Sequence, residues 1–269
     1  MQLLLLSNCT SPRRGYLEHA LPEVLAFLHE VTELTFVPFA GGNLDAYTAM
    51  VRSVFEPHGI AVRGLHEAAD PVAAVAAAQA LFVGGGNTFR LLAALQRKGL
   101  LPVIRARVQN DLPYVGSSAG TTIVGPSIRT TNDMPIVQPE SFDALGLLPF
   151  QLNPHYVDAD PAASYGGETR EERLIEFLDE NNVPVLGLRE GAHLSVTSST
   201  ACALAVVSNA TDPGTADSST AGSGSAGHAA TEPAILFERG RAPRNLGGDV
   251  SALLASRPRY DRPLADAVS

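Results

Sequence analysis

Two cysteines, Cys9 and Cys202, are all that the 269 residues contain. They are far apart and lack the close spacing that metal ligands need. A disulfide framework and a cysteine metal site are therefore not expected, and a reducing, cytoplasmic setting is the default. Long apolar runs are missing from the start of the chain. MQLLLLSN holds four leucines with no basic residue before them, too short and wrongly flanked for a signal peptide or membrane span. It reads as a buried first strand. Basic residues are outnumbered, 19 Lys and Arg against 28 Asp and Glu, for a formal charge of −9. That balance argues against a general nucleic-acid or membrane partner, and an anionic substrate would have to be captured by local cations. No internal repeat is present. The chain is 45% hydrophobic, enough for one large α/β domain or two small ones.

Short apolar runs alternate with helical spacing through the first two-thirds. Strands are predicted at Leu3–Leu6, Leu34–Val37, Ile60–Val62, Leu81–Val83 and up to Val115. Helices are predicted at Tyr16–His29, Leu44–Phe55, from Asp70 and Pro71, at Asn87–Gln96 and at Pro102–Val108. This rhythm implies an α/β fold with a mainly parallel sheet covered by helices on both faces. Residues 125–148 look loop-rich. Beyond them a strand at Gln151–Leu152 and a helix at Glu168–Glu180 are expected. Later strands follow at Val185–Leu188, Leu194–Val196, Cys202–Val207 and Ala234–Phe237, some of them antiparallel. Residues 208–232 are rich in Gly, Ser, Thr and Ala and are read as a flexible insert. One domain is then expected from 1–207 plus 233–256, with a mobile tail at 257–269.

The strongest local signal is VGSSAG, Val115–Gly120, which fits G-x-S-x-G centred on Ser118. Such a turn lifts a serine hydroxyl above the sheet edge, and only small residues fit two places before and after it. Gly116 and Gly120 frame Ser118. Ser117 is not framed, because Ala119 stands two places after it. The following helix would aim its dipole and the Ala119 N–H at an oxyanion. A second glycine loop, VGGGNTF (Val83–Phe89), has neither dinucleotide spacing nor a P-loop lysine. It is a tight turn or a second oxyanion donor through Gly86, with Asn87 beside it as a substrate contact.

A nucleophilic serine needs a base and an orienting acid. Of seven histidines, His155 in the turn N-P-H stands where a sheet presents functional loops, and His193 is the runner-up. Asp133 and Glu190 both occupy plausible loop ends, and chain order does not decide between them. Thr169 and Glu172 form a capping-box pattern ahead of Arg170 and Arg173. That stretch is an exposed, salt-bridged helix or a source of a carboxylate-binding arginine.

These segments together resemble the peptidase E family, aspartyl dipeptidases of a serine peptidase family that also contains the cyanophycinases. The resemblance covers most of residues 1–200: LLLLSN, EHALP, FVPFA, DPVAA, VGGGNTF, GSSAG, IRTTNDMPIV, FDALGLLP, NPH, GETRE and LREG. The run IRTTNDMPIV, Ile128–Val137, is the most specific. The resemblance implies a fold like class I glutamine amidotransferases (flavodoxin-like), with serine in place of their cysteine. It implies hydrolysis of Asp-X dipeptides without metal or cofactor, with Ser118 as nucleophile, His155 as base, and Asp133 or Glu190 as the third member. Ala119 and Gly86 would supply oxyanion donors. Arg170 is the expected partner of the substrate β-carboxylate, with Arg129, Arg173 and Arg189 as rivals, and Asn87 a further contact. A monomer or homodimer is expected. Alternatives are a broader aminopeptidase, an isoaspartyl or cyanophycinase-like peptidase, or a non-catalytic small-molecule binder. Two features depart from the family: Ser117 replaces a large aromatic, and the part from Ser208 onward is longer than the family's short ending.

Overall fold

The computed structural model describes residues 1–10, 14–159, 167–205 and 232–261. The strands are β1 (Gln2–Leu6), β2 (Glu33–Val37), β3 (Ala61–Gly64), β4 (Leu81–Val83), β5 (Pro113–Ser117), β6 (Gln151–Tyr156), β7 (Val185–Arg189), β8 (Ala192–Val196), β9 (Ala201–Ala205), β10 (Ala234–Phe237), β11 (Arg244–Leu246) and β12 (Gly248–Asp249). The helices are α1 (Leu21–Phe27), α2 (Leu44–Phe55), α3 (Pro71–Ala77), α4 (Thr88–Arg97), α5 (Leu100–Gln109), α6 (Ala119–Thr122) and α7 (Arg170–Glu180). Among the described residues no helix is long and apolar enough to cross a membrane.

The strands form two sheets. The larger runs β12-β9-β8-β1-β5-β4-β2-β3. Its β1, β5, β4, β2 and β3 are parallel, as the alternating pattern predicted. Period-two alternation sends Leu3 and Leu5 to one face and Leu4 and Leu6 to the other. The first face packs on α3, α4 and α5 through Val75, Leu91, Leu95 and Ile104. The second packs on α1 and α2 through Val24, Val51 and Phe55. The strands β8, β9 and β12 join antiparallel, as expected of the later part.

Periodicity did not reveal the second sheet, β11-β10-β7-β6. Its Leu152, Leu186 and Leu236 join the main core, while Val185, Ile235 and Phe237 pack on Leu174 and Leu178 of α7. Other expectations shift locally. The first helix begins at Leu21 rather than Tyr16, with Pro22 in its first turn. Proline fits there because its missing N–H would have no helical partner anyway. The predicted tail at 257–269 is tied back at its start, where Arg259 exchanges two backbone hydrogen bonds with Asn182. Residues 262–269, and all of the expected insert except Glu232, lie outside the described residues.

Phe237 is 1% exposed and packs against Tyr156, with the rings tilted and their centroids 5.7 Å apart. Phe237→Ala is expected to lower unfolding free energy by about 3–5 kcal/mol in urea titrations. An unchanged midpoint would mean that β10 is not part of the core.

Candidate active site

The turn from β5 into α6 is dictated by sterics. A Cβ on Gly116 would sit 2.5 Å from the Gly120 carbonyl oxygen, and one on Gly120 only 2.0 Å from that of Val83. Both positions must therefore be glycine. The backbone at Ser118 takes φ 51° and ψ −109°, in the left-handed half that L residues avoid. Its N–H donates to the Leu6 carbonyl at 3.1 Å, which ties the turn to the end of β1. The helix that follows spans only Ala119–Thr122. It is too short to carry a full macrodipole, so what it offers at this end is individual N–H groups, that of Ala119 first.

The Ser118 hydroxyl lies 2.9 Å from His155 Nε2, and His155 Nδ1 lies 2.9 Å from Glu190 Oε1. Three groups from three elements thus form one hydrogen-bonded line. His155 is not in a turn after its strand, as N-P-H suggested, but inside β6 at a register break between Asn153 and Tyr156. Its φ is +54°. That contortion turns the ring out of the ladder toward Ser118. Glu190 stands in the two-residue connection from β7 to β8, which crosses from the second sheet to the first.

Asp133 does not join this line. Its Oδ2 accepts from the Thr88 N–H at 2.7 Å and from the Thr88 and Thr131 hydroxyls. The carboxylate thereby fastens the IRTTNDMPIV loop to the first turn of α4. Asn87, expected as a substrate contact, plays a similar structural part here. It is the N-cap of α4, accepting from Arg90 N at 3.0 Å, and its Nδ2 donates to the Met134 carbonyl at 2.8 Å. Both ends of its amide are thus engaged by the protein.

Ser118 and His155 line a cavity of about 220 Å³ with Thr88, Thr122, Thr131, Asn132, Asp133, Pro154 and Arg170. Burial, with Arg173 nearby, draws the Arg170 guanidinium below its usual range, partly offset by Glu190 and Asp133. An anion in the cavity would complement it. The rival arginines are engaged elsewhere: Arg129 with Asp261, Arg173 with Glu168, and Arg189 with Asp158. Arg170 follows Thr169, which caps α7 in the predicted box with Glu172. Thr88, Thr122, Thr131, Asn132 and Pro154 were missed, because none of these residue types carries a distinctive pattern by itself.

The second glycine loop also reaches Ser118. A Cβ on Gly85 would lie 3.1 Å from Ser118 Cβ. Gly86 takes φ +133°, and a Cβ there would strike the Ala40 carbonyl at 2.5 Å. The neighbouring Ser117 points away, fully buried, with its hydroxyl against the Cys9 thiol. Burial pushes that thiol up to about 11, so Cys9 is no thiolate at neutral pH. His193 is buried in β8 opposite Leu6 and does not line the cavity. Among the described residues, no cluster of His, Cys, Asp and Glu could hold a metal ion.

The sequence profile of peptidase family S51 matches residues 3–204. A Streptomyces coelicolor protein named peptidase E is 52% identical over 263 residues, covering 97% of this chain and 98% of its own. A Drosophila melanogaster protein named probable alpha-aspartyl dipeptidase is 51% identical over 197 residues, 72% of this chain and 82% of its own. A crystal structure of a Listeria monocytogenes protein superposes with a TM-score of 0.59 at 21% identity, covering 77% of this chain and 98% of its own. The part from Ser208 onward lies beyond the family profile, and a Citrobacter koseri protein named peptidase E matches over only 200 residues, 73% of this chain and 87% of its own, whereas the Streptomyces match is long enough to extend into that part.

Gly120→Ala is expected to lower the melting temperature far more than Gly146→Ala. Both residues are glycine, but Gly146 has φ +59° with open space around its Cβ position, whereas Gly120 is walled in by backbone. Gly146→Ala should cost about 1 kcal/mol. Equal melting temperatures for the two variants would refute the close approach at the elbow.

Proposed function

The chain belongs to peptidase family S51, and from that premise we propose that it hydrolyses dipeptides bearing an N-terminal aspartate through a serine acyl-enzyme. The observation that carries the chemistry is the unbroken line from Ser118 Oγ to His155 Nε2 and from His155 Nδ1 to Glu190, at 2.9 Å each. The names of the relatives support the substrate class.

In this reading His155 Nε2 takes the Ser118 proton as Oγ attacks the aspartyl carbonyl. The charge that develops on the carbonyl oxygen is met by the N–H groups of Ala119 and Gly86, each worth about 3 kcal/mol in comparable sites. His155, now cationic, is held and stabilised by Glu190, and passes its proton to the leaving amine. Water then repeats the sequence to release aspartate and restore Ser118. The pairing supports Glu190, rather than Asp133, as the orienting acid.

Arg170 is the partner proposed for the β-carboxylate, since a planar guanidinium binds carboxylate bidentately. Asp133 lines the same cavity, a placement that suits the substrate's α-ammonium. A cavity carrying one cation and one anion fits a small zwitterionic substrate with an acidic side chain. The free cysteines, Cys9 and Cys202, accord with a cytoplasmic setting.

Steady-state kinetics on Asp-Leu, Leu-Leu and β-Asp-Leu test the assignment. Asp-Leu should be the best substrate, and Arg170→Met should lower its kcat/KM about a hundredfold, equivalent to about 3 kcal/mol. Equal turnover of Leu-Leu would make the protein a broader aminopeptidase. Preference for β-Asp-Leu would make it an isoaspartyl peptidase.

A further inference from the structure

The LLLLSN segment ends in two polar residues that the proposed chemistry does not use, and both are sealed from solvent. Ser7 is 0% exposed and Asn8 1%. We infer that Ser7 and Asn8 are positioning residues that set the base and the acid of the triad, an inference that rests on the Ser118–His155–Glu190 reading.

Three consecutive residues at the end of β1 each bond to a different part of the catalytic line. The Leu6 carbonyl accepts the Ser118 N–H at 3.1 Å and the Thr121 hydroxyl at 2.7 Å. The Ser7 hydroxyl donates to the Leu188 carbonyl at 2.9 Å and accepts the His155 N–H at 2.8 Å. Asn8 Oδ1 accepts the Gly191 N–H at 2.8 Å, and its Nδ2 donates to the Thr10 carbonyl at 2.7 Å.

The Ser7 bond acts where the backbone is least comfortable. The β6–β7 register shifts between Asn153 and Tyr156, and His155 takes φ +54° there. A hydroxyl has one hydrogen; Ser7 gives its own to Leu188, so its oxygen lone pairs face His155 with fixed polarity. Without that acceptor the half-buried N–H loses the partner that holds it in this conformation. The strand is then driven toward conformations that satisfy it and carry the ring away from Ser118.

Asn8 acts on the acid. Glu190 has 53% of its side chain exposed, so its reach to His155 depends on the turn that bears it. Gly191, with φ +76°, completes that turn, and Asn8 holds the Gly191 N–H from beneath. Both residues act through neighbours and touch no substrate.

The test uses the full chain as Ser7→Ala, Asn8→Ala, Glu190→Gln and the Asn8→Ala/Glu190→Gln double variant. Competent sites are counted by end-point fluorophosphonate titration, so that loss of folded protein drops out, and melting temperature is followed alongside. Ser7→Ala is expected to lower kcat on Asp-Leu per titrated site at least tenfold, with KM within twofold. Asn8→Ala should lower kcat about tenfold in the wild-type background and less than twofold in Glu190→Gln, since it acts through that residue. A wild-type kcat per site in Ser7→Ala overturns the Ser7 role, and equal losses from Asn8→Ala in both backgrounds overturn the Asn8 role. Unchanged kcat in Glu190→Gln alone would instead refute the triad reading for the acid, and the Asn8 role with it, leaving Ser7 to be judged separately. If Ser7→Ala does not fold, Ser7→Cys, close in size with a weaker acceptor, is read by the same criterion.

Discussion

Ser118 and His155 both hold backbone angles that side-chain-bearing residues avoid, and they hold them facing each other across two sheets. Among the described non-glycine residues with positive φ, they stand beside only Leu17 and Asp111. Each such residue stores about 1–3 kcal/mol of strain, which the surrounding packing has to hold in place. At Ser118 the restraint is steric, through Gly116 against Gly120 and Gly120 against the Val83 carbonyl. At His155 it is polar, through a hydroxyl at the end of β1 and the irregular β6–β7 register. If either residue relaxed to ordinary strand angles, the 2.9 Å line between them would break.

The elbow was legible because its sterics demand glycine at fixed offsets, and those offsets alone distinguish Ser118 from Ser117. The parallel half of the main sheet was legible for a related reason, since each crossover needs a helix and leaves a βαβ rhythm. The second sheet was not. Its members β6, β7, β10 and β11 are scattered along the chain, and period-two alternation says which face a residue takes but not which sheet it joins. The choice between Asp133 and Glu190 stayed open for the same cause. Only the crossing from β7 to β8 brings Glu190 against His155, while Asp133 turns to the first turn of α4.

His155 was placed in a turn because Asn153-Pro154 reads as one. In the fold Pro154 sits within β6 at an irregular register, one of the few places where a strand tolerates it. Asn87 was expected as a substrate contact beside Gly86. The structure shows its local identity, the N-cap of α4. Beyond the family profile, the described residues 232–261 are structural in a way that periodicity could not show. Arg189, the residue before Glu190, donates to the carbonyls of Glu232 and Ala234 and to Asn245, besides its pairing with Asp158. The C-terminal strands thus brace the root of the acid turn.

Every step of the proposed hydrolysis requires Ser118 to be a nucleophile activated by His155. The most direct measurement is peptide mapping by mass spectrometry after fluorophosphonate treatment of the intact protein, with and without excess Asp-Leu. A single adduct on Ser118, slowed by Asp-Leu and lost in a His155→Ala variant, is predicted. An unmodified Ser118 would contradict the account and favour a non-catalytic binding protein on the same fold, and an adduct elsewhere that Asp-Leu protects would move the nucleophile to another residue.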